Sequence, residues 1–333
     1  MCDKPFVSVI MPVRNCKRFV ANAVNSILSQ TYTNFEFIII NDGSTDETPQ
    51  ILEGYNDSRI QIIKNSKNLG ISESLNLGIS HSKGKLIARM DADDFSLPGR
   101  LEAQVKFMQE HPEVGVLGTQ ISIMNFTGKI MDVSNYPAKS EDILYFFPVG
   151  CPVAHPTVMV RKDILAEYPY STTALYGEDY ELWSRLIHVT KFANLEKIFL
   201  NYRVWKGQVS SAKKNLQHLN SLKISSEFLK NLGVAEQIQR KAEILYLSST
   251  QPKISEINST FIEIHNLEEK LLGKKISPPY NVIDRFVSCI FKVSKLMFIK
   301  NVIFSQYLKV NKSRCLAFMI IFRKITVKLR RNK

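Results

Sequence analysis

Through its first 120 residues the chain keeps one rhythm, and that rhythm restricts the fold more than any other feature. A short apolar, β-branched run is followed by a polar or acidic break and then by an amphipathic segment. Residues 6–11 (FVSVIM) run into Pro12, and residues 18–29 place Phe19, Val20, Ala23, Val24, Ile27 and Leu28 at helical spacing. Residues 35–40 (FEFIII) stop at Asn41-Asp42-Gly43, with a short helix expected around 46–54. Residues 59–64 form a third run and 70–80 a helical stretch. Residues 86–90 (LIARM) break at Asp91-Ala92-Asp93-Asp94, ahead of a helix over 98–110 in which Pro98 suits the first turn. Strand-to-helix alternation of this kind predicts an α/β fold, a doubly wound and mostly parallel sheet with helices on both faces. Ligands of such sheets lie beyond the carboxyl ends of the strands, where both acidic loops fall.

The pattern changes after residue 114. Short strands at 114–118, 121–126, 157–161 and 197–204 surround one helix at 178–189, which predicts a small antiparallel addition able to hold an acceptor. From 211 onward only helical patterns remain. The expected division is therefore 1–210, a catalytic domain, and 211–333, a helical region. Charge divides the chain in nearly the same way. The net charge is +13, yet residues 271–333 alone carry 15 Lys/Arg against one acid, Asp284, leaving the rest near neutral. Residues 286–309 and 315–333 read as basic amphipathic helices, a pattern that suits an anionic membrane surface from about residue 279. No nucleic-acid motif accompanies the charge, so nucleic acid is not expected as a partner. The longest apolar run near the end, 315–322, is too short to span a bilayer. The N-terminus has no secretory pattern. Five scattered cysteines without a CxxC pair argue for a reducing compartment and against structural zinc.

Five groups of residues can carry chemistry. Asn41 to Asp46 form a tight turn after a strand. Asp42 there can accept a base N–H and the main chain can face phosphate, although the same residues make an ordinary turn with a helix cap. In Asp91-Ala92-Asp93-Asp94, residues i and i+2 share a face, so two carboxylates repel unless a cation lies beside them. Mn2+ or Mg2+ carrying a diphosphate would relieve this, whereas an acidic surface loop would leave it to solvent. Gly177-Glu178-Asp179 opens the helix at 178, with Trp183 further along. A first-turn carboxylate is kept ionised by the helix dipole, as a general base requires, but is a weak base unless desolvated. His155, in 151–157 (CPVAHPT), can line an acceptor pocket or be an ordinary loop histidine. Arg203 and Lys206, in 201–210, can bind a diphosphate or lie on the surface.

Taken in order, Val7 to Asn15, Asn41 to Asp46, Asn68-Leu69-Gly70, Asp91 to Asp94, Gly177 to Trp183 and Tyr202-Arg203 closely resemble glycosyltransferase family 2 over about residues 5–210. The resemblance implies the GT-A fold and an inverting, metal-dependent transferase that uses a nucleotide-sugar donor, with UDP the default nucleotide. It implies that Pro12, Val13, Arg14 and Asn15 lie beside the base and that Asp42 accepts from it. It also implies Asp91 toward the ribose, Asp93 toward a divalent metal with Asp94 in support, and Asp179 as catalytic base beside Glu178. Trp183 falls where an aromatic flanks the acceptor, and His155 and Arg203 are further acceptor-side or supporting residues. Many relatives read Tyr-Arg-x-His, with a histidine able to ligate the metal; here that position is Trp205, which predicts fewer protein ligands. The acceptor implied is a saccharide or lipid-linked glycan of bacterial surface-polysaccharide assembly, with the enzyme cytoplasmic and peripheral on the inner face of the membrane. Two other assignments remain open at this point. A sugar-phosphate nucleotidyltransferase shares the architecture, but Pro12-Val13-Arg14-Asn15 lacks the glycines of its phosphate loop. A non-catalytic, membrane-associated partner subunit of the same fold is prompted by Trp205.

Overall fold

The computed structural model describes residues 6–147, 150–205, 207–208 and 213–231. The expected basic helices of the tail, and Lys206, lie outside these residues. The described part falls almost wholly within the first of two compact units, Met1–Ser225; of the second, Ser226–Lys333, only the end of one helix is described.

The strand–helix rhythm folds as β1 (Val7–Val13), α1 (Val20–Leu28), β2 (Phe35–Asp42), α2 (Thr48–Glu53), β3 (Ile60–Asn65), α3 (Ile71–His81), β4 (Leu86–Arg89), β5 (Phe95–Ser96) and α4 (Arg100–Glu110). There follow β6 (Val114–Met124), β7 (Ile130–Val133), α5 (Ser140–Phe146), β8 (Met159–Arg161), α6 (Lys162–Glu167), α7 (Glu178–Leu186), β9 (Lys191–Arg203) and α8 (Lys214–Asn231). The sheet order is β3-β2-β1-β4-β8-β6-β9-β5, with β7 beside β6. β1 pairs in parallel with both β2 and β4, so the chain reverses direction across the sheet between β1 and β4. β8 runs antiparallel to β4 and to β6, and β9 is parallel to β6. The carboxyl ends of β1, β2, β4 and β9 therefore share one rim with the amino end of β8.

β1 and β2 are apolar runs because both their faces are covered. Val7, Val9, Met11 and Val13 pack with Val20, Val24 and Ile27 of α1 and Leu101 and Val105 of α4. On the opposite face α3 approaches so closely that a Cβ on Gly78 would lie 2.6 Å from Ile10 Cγ2.

Several boundaries differ from the sequence reading. Pro12 does not end β1. The Ile10 carbonyl accepts from Met90 N, so even-numbered residues of β1 turn their backbone toward β4; β4 ends opposite Ile10, and no ladder bond is lost where proline has no N–H. Pro98 lies ahead of α4, not in its first turn, and Gly99, at φ +78°, turns the chain into the helix. The two strands expected at 114–118 and 121–126 are one, β6, whose register against β9 shifts around Gln120. Within the first unit, Asn220 of α8 donates to the Leu175 carbonyl.

Candidate active site

The β1–α1 and β2–α2 loops are stapled together at the rim. Asn15, at φ +51°, accepts on Oδ1 from Thr45 N at 2.7 Å, and its own N–H donates to Ser44 Oγ at 3.1 Å. Cys16 N donates to Thr48 Oγ1 and Lys17 N to Asp46 Oδ2. Gly43 must be glycine: its φ is +64°, and a Cβ would lie 2.7 Å from the Lys67 carbonyl carbon. Arg14 and Asn15 are exposed, Pro12 is half-buried and Val13 buried. Asp42 is buried and already holds three donors. Oδ1 accepts from Asn65 Nδ2 and Leu69 N, and Oδ2 from Gly70 N at 2.9 Å. This carboxylate thus fixes the turn ahead of α3, and one lone-pair position on Oδ2 stays available to a ligand.

Each carboxylate after β4 has its own partner. Arg89, the last residue of β4, grips Asp91 with both terminal nitrogens, at 2.8 and 2.6 Å. Asp93 accepts from the indole N–H of Trp205 at 2.8 Å. Asp94 Oδ1 accepts from Arg203 N at 2.8 Å, while its Oδ2 is buried with no partner among the described residues. Burial, then the charge of Asp91, pushes Asp93 up to about 6. The same two causes, with Asp93 added, push Asp94 well above the carboxylate range. Carboxylate oxygens of Asp91, Asp93 and Asp94 lie within 4.8 Å of one another. An all-oxygen donor set, in which Asp93 and Asp94 have raised proton affinities and one buried Asp94 oxygen lacks a donor, fits a hard divalent cation.

The other half of the site comes from the start of α7. Glu178 and Asp179 are half-buried beside His155, and all three offer ligand-type atoms within 4.8 Å. Burial raises Asp179, opposed by the Tyr180 N–H and the charge of Arg89. Its Oδ2 faces the Cys151 thiol at 3.7 Å. Burial and repulsion from Asp179 push Glu178 up to about 7. His155 is buried, bonds Tyr170 Oη through Nε2 at 2.9 Å, and is driven well below its ordinary range by burial and then by Arg89. A neutral, tethered His155 orients the wall of the site.

Two of the named residues make mostly internal contacts. Trp183 does not flank an open acceptor space: it is fully buried, edge-on to His155 and Phe192. It lies there because Tyr180, Leu182, Trp183 and Leu186 together make the buried face of α7. Arg203 is not extended toward a diphosphate. It stacks over Phe19 at 4.4 Å and donates through Nε to the Asp93 carbonyl and through Nη1 to the Phe126 carbonyl, so it clamps the acidic loop from behind.

Arg89 is the residue that the sequence did not single out. It is buried, binds Asp91 directly, and its field also acts on Asp93, Glu178, Asp179 and His155. Burial works against its charge, but the surrounding acids outweigh it and raise its pKa. The available signal was its place in an apolar strand two residues before Asp91, on the same face.

The chain is similar to several known proteins. The model of the family "Glycosyl transferase family 2" matches residues 8–168. A glycosyltransferase of Haemophilus influenzae, itself uncharacterized, is 30% identical over 297 residues, covering 85% of this chain and 88% of that protein. The O-antigen biosynthesis glycosyltransferase WbnJ of Escherichia coli is 36% identical over 205 residues, covering 60% of this chain and 79% of its own. Among solved structures, S. aureus TarS 1-349 in complex with UDP-GlcNAc superposes with a TM-score of 0.55 at 18% identity, over 86% of this chain and 88% of that one. At that identity the likeness concerns the fold.

Proposed function

The chain belongs to glycosyl transferase family 2 and is a glycosyltransferase, and on that premise we propose that its acidic rim transfers a sugar, with inversion, from a nucleoside-diphosphate sugar to a hydroxyl of a saccharide or lipid-linked glycan. One observation carries the reading: two carboxylate groups, Asp91-Asp93-Asp94 and Glu178-Asp179, stand at the same sheet rim under the field of one buried arginine, Arg89. A donor site needs the first group and an acceptor site the second.

In this reading the stapled loops with Arg14 and Asn15 receive the nucleotide, and Asp42 offers its remaining lone pair to the base. Asp91, fixed by Arg89, faces the ribose. Asp93, backed by Asp94, would hold Mn2+ or Mg2+. The cation, when bound, supplies Lewis-acid stabilisation of charge on the leaving diphosphate. Asp179 accepts the proton of the acceptor hydroxyl as that oxygen attacks the anomeric carbon. The new C–O bond forms as the bond to the diphosphate oxygen breaks, and the electron pair leaves with the diphosphate. The transition state has oxocarbenium character, as in glycoside hydrolysis. Desolvation supports the assignment of Asp179, because burial raises its proton affinity and a carboxylate of raised proton affinity is a stronger base. The E. coli relative acting in O-antigen synthesis favours a surface-polysaccharide acceptor. Attachment of the basic tail to the cytoplasmic face of an anionic membrane belongs to the same proposal; its residues lie outside those described, and their charge pattern is its support.

The test is a panel of nucleotide sugars with Mn2+ and saccharide or lipid-linked acceptors, run beside Asp179→Asn. The variant should bind UDP as the parent does and lose about 10²–10⁴-fold in kcat. Full transfer by Asp179→Asn would remove Asp179 as the base.

A further inference from the structure

We propose that His155, Glu178 and Asp179 form a second cation site, separate from the acidic loop after β4, which takes Zn2+ and, when filled, stops transfer by occupying the base. The proposal rests on the assignment of Asp179 above and deepens it into a form of regulation. His155 comes from the segment between α5 and β8, and Glu178 and Asp179 from the first turn of α7. Each offers one ligand-type atom, and the three atoms lie within 4.8 Å of one another.

Donor chemistry separates this group from Asp91-Asp93-Asp94. That set is oxygen only, which suits Mg2+ or Mn2+. The second group adds an imidazole nitrogen, and a mixed nitrogen and oxygen set binds Zn2+ more tightly than Mn2+. One histidine and two carboxylates give three protein ligands, and zinc completes a tetrahedron with water in the fourth position. Bond lengths of about 2.0–2.2 Å ask the three donors to draw together around the ion.

Two further observations point to a cation here. His155 is 7% exposed and is held by Tyr170 Oη through Nε2 at 2.9 Å, while Nδ1 has no hydrogen bond among the described residues. An ion on Nδ1 would leave Nε2–H to donate to Tyr170, the arrangement by which metal-bound histidines are ordinarily fixed. Tyr170 is itself anchored, since its N–H donates to Asn76 Oδ1 and its carbonyl accepts from Asn76 Nδ2. The second observation is charge. Glu178 and Asp179 are half-buried neighbours, and among the described residues no cation forms an ion pair with either. Arg89 lies near enough to act through its field, but both its terminal nitrogens are bonded to Asp91. A dication would supply the missing counter-charge.

The consequence follows from the role of Asp179. An oxygen bonded to zinc cannot take the proton of an acceptor hydroxyl, and the ion with its water fills the space that hydroxyl needs. Zinc should therefore oppose the acceptor and leave the nucleotide side untouched.

The experiment is a calorimetric titration of Zn2+ into the full chain, with saturating Mn2+ and UDP, for the parent, Glu178→Gln and Asp93→Asn, each first matched to the parent by circular dichroism. The parent should bind Zn2+. Glu178→Gln should weaken that binding at least about tenfold, since even the outer partners of a metal ligand are worth about 10- to 100-fold. Asp93→Asn should leave it unchanged. In the nucleotide-sugar panel, inhibition by Zn2+ should be overcome by added acceptor and not by added donor, and Glu178→Gln should need correspondingly more zinc for the same inhibition. Equal zinc affinity in the parent and Glu178→Gln, loss of zinc binding in Asp93→Asn, or zinc bound with no loss of transfer would each overturn the proposal. Retained transfer by Asp179→Asn would instead overturn the base assignment and with it the mode of inhibition, while calorimetry alone still decides the zinc site.

Discussion

Glu178 gives a measurable consequence of crowding two acids at the start of α7. Burial and the charge of Asp179 raise its pKa from the ordinary 4.5 to about 7. The folded chain thus holds the Glu178 proton more tightly than the unfolded chain does. Below pH 4.5 both states are protonated and Glu178 is neutral toward stability. Between about pH 4.5 and 7 the unfolded chain ionises Glu178 while the folded chain keeps its proton, so stability falls across that window and levels off above it. A shift from 4.5 to about 7 corresponds to about 3 kcal/mol at pH 8, at about 1.4 kcal/mol for each tenfold change in proton affinity. Glu178→Gln keeps the shape and removes the charge. It should match the parent near pH 4 and exceed it at pH 8 by about 3 kcal/mol, a Tm gain of roughly 6–12 °C for a domain of this size. Differential scanning calorimetry of both proteins from pH 4 to 8 reads the difference directly. Parallel Tm curves for parent and variant across that range would show that the two carboxylates do not burden each other, and the account of the acceptor side would lose its electrostatic basis.

Arg89→Met should destabilise the protein by about 3–5 kcal/mol, because it strips a bidentate partner from Asp91 and leaves that charge among two further acids. Arg89→Lys should recover only part of this, as an ammonium cannot reproduce the fork; a loss under about 1 kcal/mol for Arg89→Met in urea titration would contradict the pairing. Gly43→Ala should cost about 1–3 kcal/mol through its left-handed φ, with more from the contact at Lys67, read from the same titration. Removal of residues 279–333 should release the protein from vesicles containing anionic lipid while leaving it bound to UDP; unchanged sedimentation with vesicles would exclude the tail as the attachment.

What could be read from the sequence and what could not divide along one physical line, the distance over which a contact is formed. β1, β2 and β4 were legible because burial on both faces leaves an uninterrupted apolar run, a property of six neighbouring residues. Asp91 and Asp93 were legible as a pair because alternation along an extended segment places them together. The position of β8 between β4 and β6 was not legible, since three residues, Met159–Arg161, carry no local signal of which strands they join. The same holds within the site. Trp205 was visible as a departure from a familiar pattern, but its bond to Asp93 spans 112 positions. Trp183 shows the converse: its neighbours Leu182 and Leu186 mark a buried face of α7, so its burial was legible locally. Arg89 shows how far the limit extends. In sequence it is one cation in a short apolar strand, a position that costs stability unless it is paired. Only the fold brings Asp91, Glu178 and Asp179 into its field, and those acids are what make a buried arginine at the floor of this rim tolerable. A strand-end cation two residues before an acidic loop is therefore the place where a reading of this sequence should have looked for the counter-charge of both carboxylate groups.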